Sequence, residues 1–222
     1  MTKIKAVLFD MIGTTVKTSS PDLIIDCFKK AFTAYNIQAD EEVLRNSRGK
    51  NKMTMIREVL DYNRLPVEMA DLVFHSFTHM VNNSLTSFTE MNALPEVFSF
   101  LQQKFIRIGI GSGLPKDLFV AVFNHLGWDK YSFDYIGIAE LLGKSRPDPA
   151  MIFDMMQLLK ITNPEEVLKI GDTIADIREG KNAGVKTAVI LSGTQEETLL
   201  KKENPDYVVS SLEELLDLPI WS

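Results

Sequence analysis

Residues 5–16 read "KAVLFDMIGTTV", and this stretch indicates the fold of the chain. An apolar run ends abruptly at Asp10, after which Gly13-Thr14-Thr15 favours a turn. A run that is apolar almost throughout is typical of a strand in a parallel sheet whose two faces are both covered. The stretch therefore predicts a buried strand that carries a carboxylate at its carboxyl end.

Five further apolar runs resemble the first and complete a set of predicted strands at residues 4–10, 105–112, 133–139, 167–172, 186–192 and 206–210. Helical patterns follow the second strand and separate the later ones, at residues 116–126, 149–160, 175–183, 196–202 and 212–216. Strands that alternate with helices indicate crossover units and a parallel sheet. We therefore predict an α/β fold with a Rossmann-like parallel sheet and helices on both of its faces.

The first two predicted strands are separated by far more residues than one crossover requires. The gap between them contains helical patterns at residues 21–35, 41–45, 53–62, 67–83 and 95–104. We predict an α/β core domain of residues 1–16 and 91–222 and an inserted helical cap domain of residues 17–90. Because both ends of the insertion lie near Asp10, the cap is expected to cover the carboxyl edge of the sheet, where such sheets bind ligands.

The composition limits the classes of function. The chain has 222 residues, of which 45% are hydrophobic, and its formal net charge of −6 argues against a nucleic-acid or anionic-membrane surface. Cys27 is the only cysteine, which excludes an internal disulfide and a zinc–thiolate cluster. With neither a signal pattern nor an apolar run of roughly 18 residues, the protein is expected to be soluble and cytoplasmic, as a monomer or homodimer.

Polar side chains follow the ends of several predicted strands, and the carboxyl ends of parallel strands share one edge. We expect these residues to converge there: Asp10, Ser112, Lys144, Arg146, Asp172 and Asp176. Three carboxylates in one place repel one another, so a cation is expected among them. Oxygen ligands without histidine or cysteine predict Mg²⁺. A cation together with basic side chains and a hydroxyl suits a dianionic phosphate or phosphonate.

Each residue of this set also has a purely structural explanation. Aspartate is common at strand ends, and Ser112 between two glycines suits a turn. Asp172 or Thr173 could cap the helix that follows. The joint arrangement, in this order along the chain, is much more specific than any single residue.

The order and spacing of these residues resemble the haloacid dehalogenase superfamily of phosphohydrolases over essentially the whole chain. The first motif of that family, DxDGT, is similar to "DMIGTT" from Asp10, and Ser112 matches the Ser or Thr of its second motif. Arg146 in "RPDP" matches the basic residue of the third motif, with Lys144 as the less favoured match. "GDTIAD" matches the fourth motif, GDxxxD, and the insertion resembles the helical cap of the family.

The resemblance implies a role for each matched position. Asp10 would be the nucleophile that forms an aspartyl-phosphate, and it would also bind Mg²⁺ together with the backbone carbonyl of Ile12. Asp172 would complete the metal site, with Asp176 as a ligand or close behind it. The phosphoryl oxygens would be bound by the remaining residues of the edge: Ser112, Gly113, Lys144 and Arg146.

Ile12 stands where ordinary phosphatases of the superfamily have a second aspartate, which protonates the leaving group and later activates water. General acid–base catalysis of this kind is typically worth about 10²–10⁴-fold in rate. Two branches of the superfamily also lack this acid. Dehalogenases have an aromatic residue there, whereas phosphonoacetaldehyde hydrolases (phosphonatases) have a small apolar residue and use a cap lysine that forms an imine with the substrate aldehyde.

The segment "GKNK", residues 49–52, opens a predicted helix in the cap. The phosphonatase lysine lies in a similar G-x-x-K context, so the resemblance implies that Lys52 is catalytic, with Arg48 or Lys50 beside it over the substrate. Ile12 is bulkier than the alanine of that branch, and its larger side chain would reduce the room available for the substrate.

We predict a Mg²⁺-dependent, phosphonatase-like hydrolase that acts on a small phosphonate or phosphorylated metabolite. Two alternatives remain open at this point. One is a general small-molecule phosphatase weakened by Ile12, and the other is a catalytically silent member that binds a phosphorylated ligand or a protein partner. His75 and His79 lack a third metal ligand, and "GIGSG" lacks a full dinucleotide fingerprint.

Overall fold

The computed structural model describes residues 3–221 as an α/β fold. In chain order its strands are β1 (Ala6–Asp10), β2 (Val16–Thr18), β3 (Phe88–Glu90), β4 (Arg107–Ser112), β5 (Tyr135–Ile138), β6 (Val167–Gly171), β7 (Lys186–Ile190) and β8 (Tyr207–Val209). Its α-helices are α1 (Leu23–Thr33), α2 (Glu41–Asn46), α3 (Lys52–Tyr62), α4 (Ala70–Asn82), α5 (Leu94–Gln103), α6 (Lys116–His125), α7 (Ala139–Leu142), α8 (Ala150–Leu159), α9 (Ile174–Ala183) and α10 (Glu197–Lys202).

Six strands form one parallel sheet in the order β5-β4-β1-β6-β7-β8. Each of them overlaps one of the six predicted strands, and the predicted fold class is confirmed. The centre of the sheet is β1, where Asp10 lies opposite Gly111 of β4 and Phe9 lies opposite Ile170 of β6. This register brings the residues that follow β1, β4 and β6 to the same edge of the sheet.

Every residue of β1 is buried, and successive side chains point to opposite faces of the sheet. Val7 and Phe9 belong to an apolar cluster in which the Phe9 and Phe98 rings are 5.5 Å apart, edge to face. Ala6 and Leu8 belong to a second cluster, formed with α8 and its neighbours. Coverage on both faces explains why this strand is apolar almost throughout.

The chain leaves the sheet through β2 and returns through β3, and these two strands pair antiparallel, with Val16 opposite Glu90. The residues between them, 19–87, contain α1 to α4 and are called the helical insertion below. Its interior is apolar, and the stacked Phe28 and Phe77 rings of α1 and α4 have centroids 4.0 Å apart. None of the described helices is long and apolar enough to cross a membrane.

The domain division into 17–90 and the remainder stays a prediction, and its core ranges include residues 1, 2 and 222, which lie outside the described part of the chain. Sequence patterns did not indicate β2 and β3, because a strand of three residues is too short to display alternation and its partner is distant in sequence. They also missed the single turn α7. The predicted helix at 212–216 is a 3₁₀ helix, Glu213–Asp217, and that at 67–83 divides into a 3₁₀ turn, Val67–Met69, and α4.

Glu90 joins the β2–β3 ribbon to the core. Its carboxylate accepts hydrogen bonds from the Trp128 indole nitrogen at 2.8 Å and the Tyr131 hydroxyl at 3.3 Å, and it pairs with Lys130 at 2.8 Å. Trp128 is fully buried, so its N–H depends on this partner.

Replacing Glu90 with Ala is expected to lower the free energy of unfolding by about 1–3 kcal/mol, because it leaves a buried donor without an acceptor. The matched control is Lys130→Ala, which removes a 51% exposed ion-pair partner and is expected to cost less than about 1 kcal/mol. Urea denaturation of both variants measures the difference. Equal losses in the two variants would contradict this role of Glu90.

Candidate active site

Three buried carboxylates meet at the carboxyl edge of the sheet. Asp10 ends β1, Asp172 follows β6, and Asp176 lies in the first turn of α9. Each contributes one oxygen to a group in which all the chosen oxygens lie within 4.8 Å of one another. The group contains no histidine or cysteine, so its donor set is one of hard oxygen atoms that suits a divalent cation such as Mg²⁺.

Asp172 is held by hydrogen bonds to both of its oxygens. The Thr194 amide and hydroxyl donate to Oδ2 at 2.7 and 2.5 Å, and the Thr14 hydroxyl donates to Oδ1 at 3.2 Å. Gly13 has a φ of +93°, and a Cβ at this position would lie 2.2 Å from Asp172 Oδ2, so no other residue fits there. Burial, followed by the charges of Asp10 and Asp176, raises the pKa of Asp172 to about 7.

Two buried basic residues, Arg146 and Lys169, contact this group of acids. The Arg146 guanidinium is buried, and it pairs through Nη1 with Asp10 and donates through Nε to Glu179 at 3.0 Å. The Lys169 ammonium lies 2.9 Å from Asp176 Oδ1. Burial acts to raise the pKa of Asp176, but Lys169 and Arg146 outweigh it and lower that pKa below its usual value.

Lys169 and Glu179 were not among the residues selected from the sequence. A signal was present, because Lys169 is a charged residue inside the otherwise apolar run "VLKIGD". A buried strand tolerates a lysine only when a carboxylate partner is available. The strand pattern alone does not identify that partner, since Glu179 lies on α9, one turn after Asp176.

A cavity of about 50 Å³ lies between the sheet edge and the helical insertion. Its polar lining is Asp10, Arg48, Lys52, Ser112, Arg146, Thr173 and Thr194. Its apolar lining is Ile12, Pro21, Ile24, Ile25, Met55 and Leu114, with Gly49 and Gly113 completing the wall. Since one water molecule needs roughly 10–15 Å³ by this measure, the cavity suits a small molecule.

Lys52 is the first residue of α3, which Asn51 caps by accepting a hydrogen bond from the Thr54 amide. Its side chain is directed inward: the residue is 7% exposed, it lines the cavity, and its ammonium donates to the Lys50 carbonyl at 3.2 Å. Burial lowers the pKa of Lys52 to about 8, although the charge of Asp10 acts to raise it. An amine with this pKa is partly neutral, and therefore nucleophilic, near neutral pH.

The loop before α3 contacts the turn that follows β4. A Cβ on Gly113 would lie 2.7 Å from the Lys50 carbonyl oxygen, so a glycine permits this close approach. The Asn51 amide donates to the Ser145 hydroxyl at 2.7 Å on the core side. These contacts bring Lys52 of the helical insertion to the same cavity as Asp10 of the sheet.

The structure brings most of the predicted site residues together. Ser112 is buried, and its hydroxyl accepts a hydrogen bond from the Leu114 amide at 3.0 Å. Arg48 lines the cavity and donates to the Pro21 carbonyl at 3.0 Å while pairing with Asp22. Ile12 contributes an apolar wall where an acid would otherwise stand.

Two lysines considered from the sequence lie elsewhere. Lys144 was predicted to bind substrate, but its side chain is 62% exposed, pairs with Asp148 at 3.5 Å and lines a separate surface pocket. The turn of α7 lies between β5 and Lys144, and Arg146, two residues further along the chain, is the basic residue that is buried and pairs with Asp10. Lys50 also points away from the cavity, because its ammonium pairs with Glu58 at 2.9 Å.

Comparison with known proteins identifies the family. Residues 7–190 match the sequence profile of the haloacid dehalogenase-like hydrolases. The phosphonoacetaldehyde hydrolase of Latilactobacillus sakei is 30% identical over 87% of this chain and 78% of its own length. The phosphonoacetaldehyde hydrolase of Bacteroides fragilis is 30% identical over 96% of this chain and 86% of its own length.

Solved structures share the fold. A phosphonoacetaldehyde hydrolase-like protein from Oleispira antarctica has a TM-score of 0.84 at 18% identity and covers 96% of this chain and 91% of its own. A hydrolase from Pseudomonas syringae has a TM-score of 0.83 at 18% identity and covers 96% of both chains. The resemblance predicted from the motifs is confirmed, and the chain belongs to the haloacid dehalogenase-like hydrolases.

Proposed function

We propose that this hydrolase uses Mg²⁺ and cleaves the carbon–phosphorus bond of a small phosphonate that carries a carbonyl group, with phosphonoacetaldehyde as the first candidate. The observation that carries the proposal is the presence of a buried amine, Lys52, in the same cavity as the strand-end carboxylate of Asp10. The names of the curated relatives support the same choice of substrate.

Residues at the sheet edge fit a magnesium ion. We propose that Asp10, Asp172 and the backbone carbonyl of Ile12 hold it, because three buried acids offer oxygen donors and Asp172 is already oriented by Thr14 and Thr194. Asp176 adds negative charge, while its oxygens also contact Lys169 and Thr173. When bound, the ion would neutralise charge on the transferring phosphoryl group.

Asp10 is proposed as the nucleophile. One of its carboxylate oxygens would attack phosphorus and form an aspartyl-phosphate, which water then hydrolyses to inorganic phosphate. Arg146 pairs with Asp10 and lines the cavity with Ser112, so these two residues are suited to bind the phosphoryl oxygens as transfer proceeds. Splitting the reaction in this way replaces one difficult displacement by two easier ones.

Lys52 is proposed to supply the electron sink. Its neutral amine would condense with the substrate aldehyde, release water and take up a proton to form an iminium. As phosphorus moves to Asp10, the electron pair of the carbon–phosphorus bond passes toward the iminium nitrogen and gives an enamine. Protonation of the enamine carbon and hydrolysis of the resulting imine would then release acetaldehyde and regenerate the amine.

The lining of the cavity favours this chemistry over monoester hydrolysis. Among the described residues that line it, Asp10 is the one carboxylate, so no second acid is available to protonate an alcohol leaving group. The walls formed by Ile24, Ile25 and Met55 would also leave the hydroxyls of a sugar phosphate without partners. A short carbon chain with one carbonyl suits these walls better.

Borohydride trapping tests the imine. Treating the protein with phosphonoacetaldehyde and sodium borohydride is expected to convert Lys52 to N-ethyl-lysine, since cleavage precedes reduction, and mass spectrometry of peptides identifies the site. Lys52→Ala is expected to remain unlabelled. Lys50→Ala serves as the matched control and is expected to be labelled normally, because Lys50 faces Glu58.

Two outcomes would argue against the imine. Labelling that is equal in Lys52→Ala and in the unaltered protein would exclude Lys52 as the reacting amine. Absence of any labelled lysine, together with phosphate release from a panel of phosphate monoesters, would indicate a general phosphatase instead.

Asp10→Asn is expected to abolish phosphate release while the chain stays folded. The chain is expected to stay folded because asparagine has nearly the same shape as aspartate, its oxygen can still accept from Arg146, and the loss of one charge relieves repulsion with Asp172 and Asp176. The same borohydride experiment on this variant should yield phosphonoethyl-lysine at Lys52, because the imine forms but the carbon–phosphorus bond persists. Phosphate release at the original rate would contradict the assignment of the nucleophile.

Magnesium binding is expected to weaken as the pH falls through 7. Asp172 has a pKa of about 7 before the ion binds, so below that pH a proton occupies the ligand. The apparent Kd at pH 6 should therefore be about tenfold higher than its limit above pH 8. Isothermal titration calorimetry with MgCl₂ measures it, and Asp172→Asn should bind weakly at every pH. A Kd that is unchanged between pH 6 and 8 would count against Asp172 as a ligand.

A further inference from the structure

We propose that Glu179 is a positioning residue for Arg146, and that Lys169 balances the negative charge of Glu179 in this buried group. The inference rests on the proposed function in one respect, namely that Arg146 binds the phosphoryl group beside Asp10. Neither Lys169 nor Glu179 lines the cavity, so any effect they have on the reaction acts through another residue.

The two edges of the Arg146 guanidinium have different partners. Nε donates to Glu179 Oε2 at 3.0 Å, on the side away from the cavity, whereas Nη1 pairs with Asp10. Because a guanidinium is planar and rigid, fixing its Nε edge also fixes the direction of both Nη groups. Glu179 thereby sets where the Nη edge meets the nucleophile and the phosphoryl oxygens.

Lys169 supplies the positive charge that balances Glu179. Its ammonium lies 3.3 Å from Glu179 Oε2 and 2.9 Å from Asp176 Oδ1, and Arg146 Nε lies 3.3 Å from that same Asp176 oxygen. Each of the two basic groups therefore contacts both acids, and all four residues are buried. Lys169 extends from β6, which is paired on both sides, so its backbone position is well determined.

A different result would be expected if Glu179 served only to balance charge. Removing one member of a buried ionic group leaves an uncompensated charge and destabilises the fold whatever its role in catalysis. Replacing Lys169 and Glu179 together keeps the group neutral, with Arg146 and Asp176 remaining. If charge balance were the whole role, every such neutral pair of substitutions would serve equally well.

The decisive comparison is between two double variants, Lys169→Met with Glu179→Gln and Lys169→Met with Glu179→Met. Both lose one positive and one negative charge, and they differ in whether residue 179 offers Arg146 Nε a strong acceptor oxygen. Orthovanadate in the presence of MgCl₂ is the probe, because it reports on the phosphoryl site without an organic substrate. Calorimetry gives its Kd, and thermal unfolding gives the stability of each variant.

We expect the glutamine variant to bind vanadate within about threefold of the unaltered protein and the methionine variant to bind at least about tenfold more weakly, as loss of a hydrogen bond to a charged group implies. With phosphonoacetaldehyde, kcat should fall in the same order while KM changes little. Equal vanadate affinities in the two variants would overturn the proposal. If the unaltered protein binds vanadate but does not cleave the phosphonate, the proposed substrate fails while this comparison still stands.

Glu179→Asp provides a second test that preserves every charge. The shorter side chain withdraws the acceptor from Arg146 Nε by one methylene, so we again expect vanadate binding to weaken about tenfold. Glu203→Asp is the matched control, since Glu203 pairs with Arg178 on the surface at 2.6 Å. Vanadate affinity in Glu179→Asp equal to that of the control would contradict a positioning role.

Discussion

The structure depends on placing several negative charges close together and out of water. Asp10, Asp172 and Asp176 are all buried at one edge of the sheet, where each ionised carboxylate raises the energy of the others. The protein offsets this in two ways. Hydroxyl and amide donors satisfy the oxygens of Asp172, and two buried basic residues, Arg146 and Lys169, oppose the remaining charge.

The parallel sheet makes this arrangement possible. With β1 at its centre and β4 and β6 on either side, the loops that follow three strands meet above the same edge. Both faces of the sheet are covered by apolar clusters, so the backbone that carries Asp10 is rigid. Gly13 completes the arrangement, because its missing Cβ allows the turn after β1 to lie against Asp172.

The helical insertion contributes an amine, that of Lys52, to the cavity at the sheet edge. Ile12 removes the acid that a phosphatase would use, and the wall around it is apolar. The same apolar surroundings bury Lys52 and lower its pKa to about 8, which makes the amine more reactive. The apolar side chains around the cavity thus have two consequences: they offer no second acid, and they favour the neutral form of the Lys52 amine.

Much of this could be predicted from the sequence because the relevant signals are local. Short apolar runs separated by helical patterns determined the fold class, and strand-end residues such as Asp10, Ser112 and Asp172 identified the edge where the site would lie. Topology converts these local signals into a common location, since parallel strands end on the same side. The resemblance of "GKNK" to the phosphonatase motif indicated Lys52, which lines the same cavity.

Other features were decided only by the tertiary structure. Whether a basic residue faces a cavity or solvent depends on packing between segments far apart in sequence, which is why Lys144 was predicted in the site but is exposed, and why Arg146 is buried. The pairing of β2 with β3, and of Lys169 with Glu179, likewise joins residues that no short pattern connects. The sequence by itself determined which chemical groups stand at the strand ends, whereas the folded chain decided which charges face one another, because electrostatic and packing energies depend on distance in space.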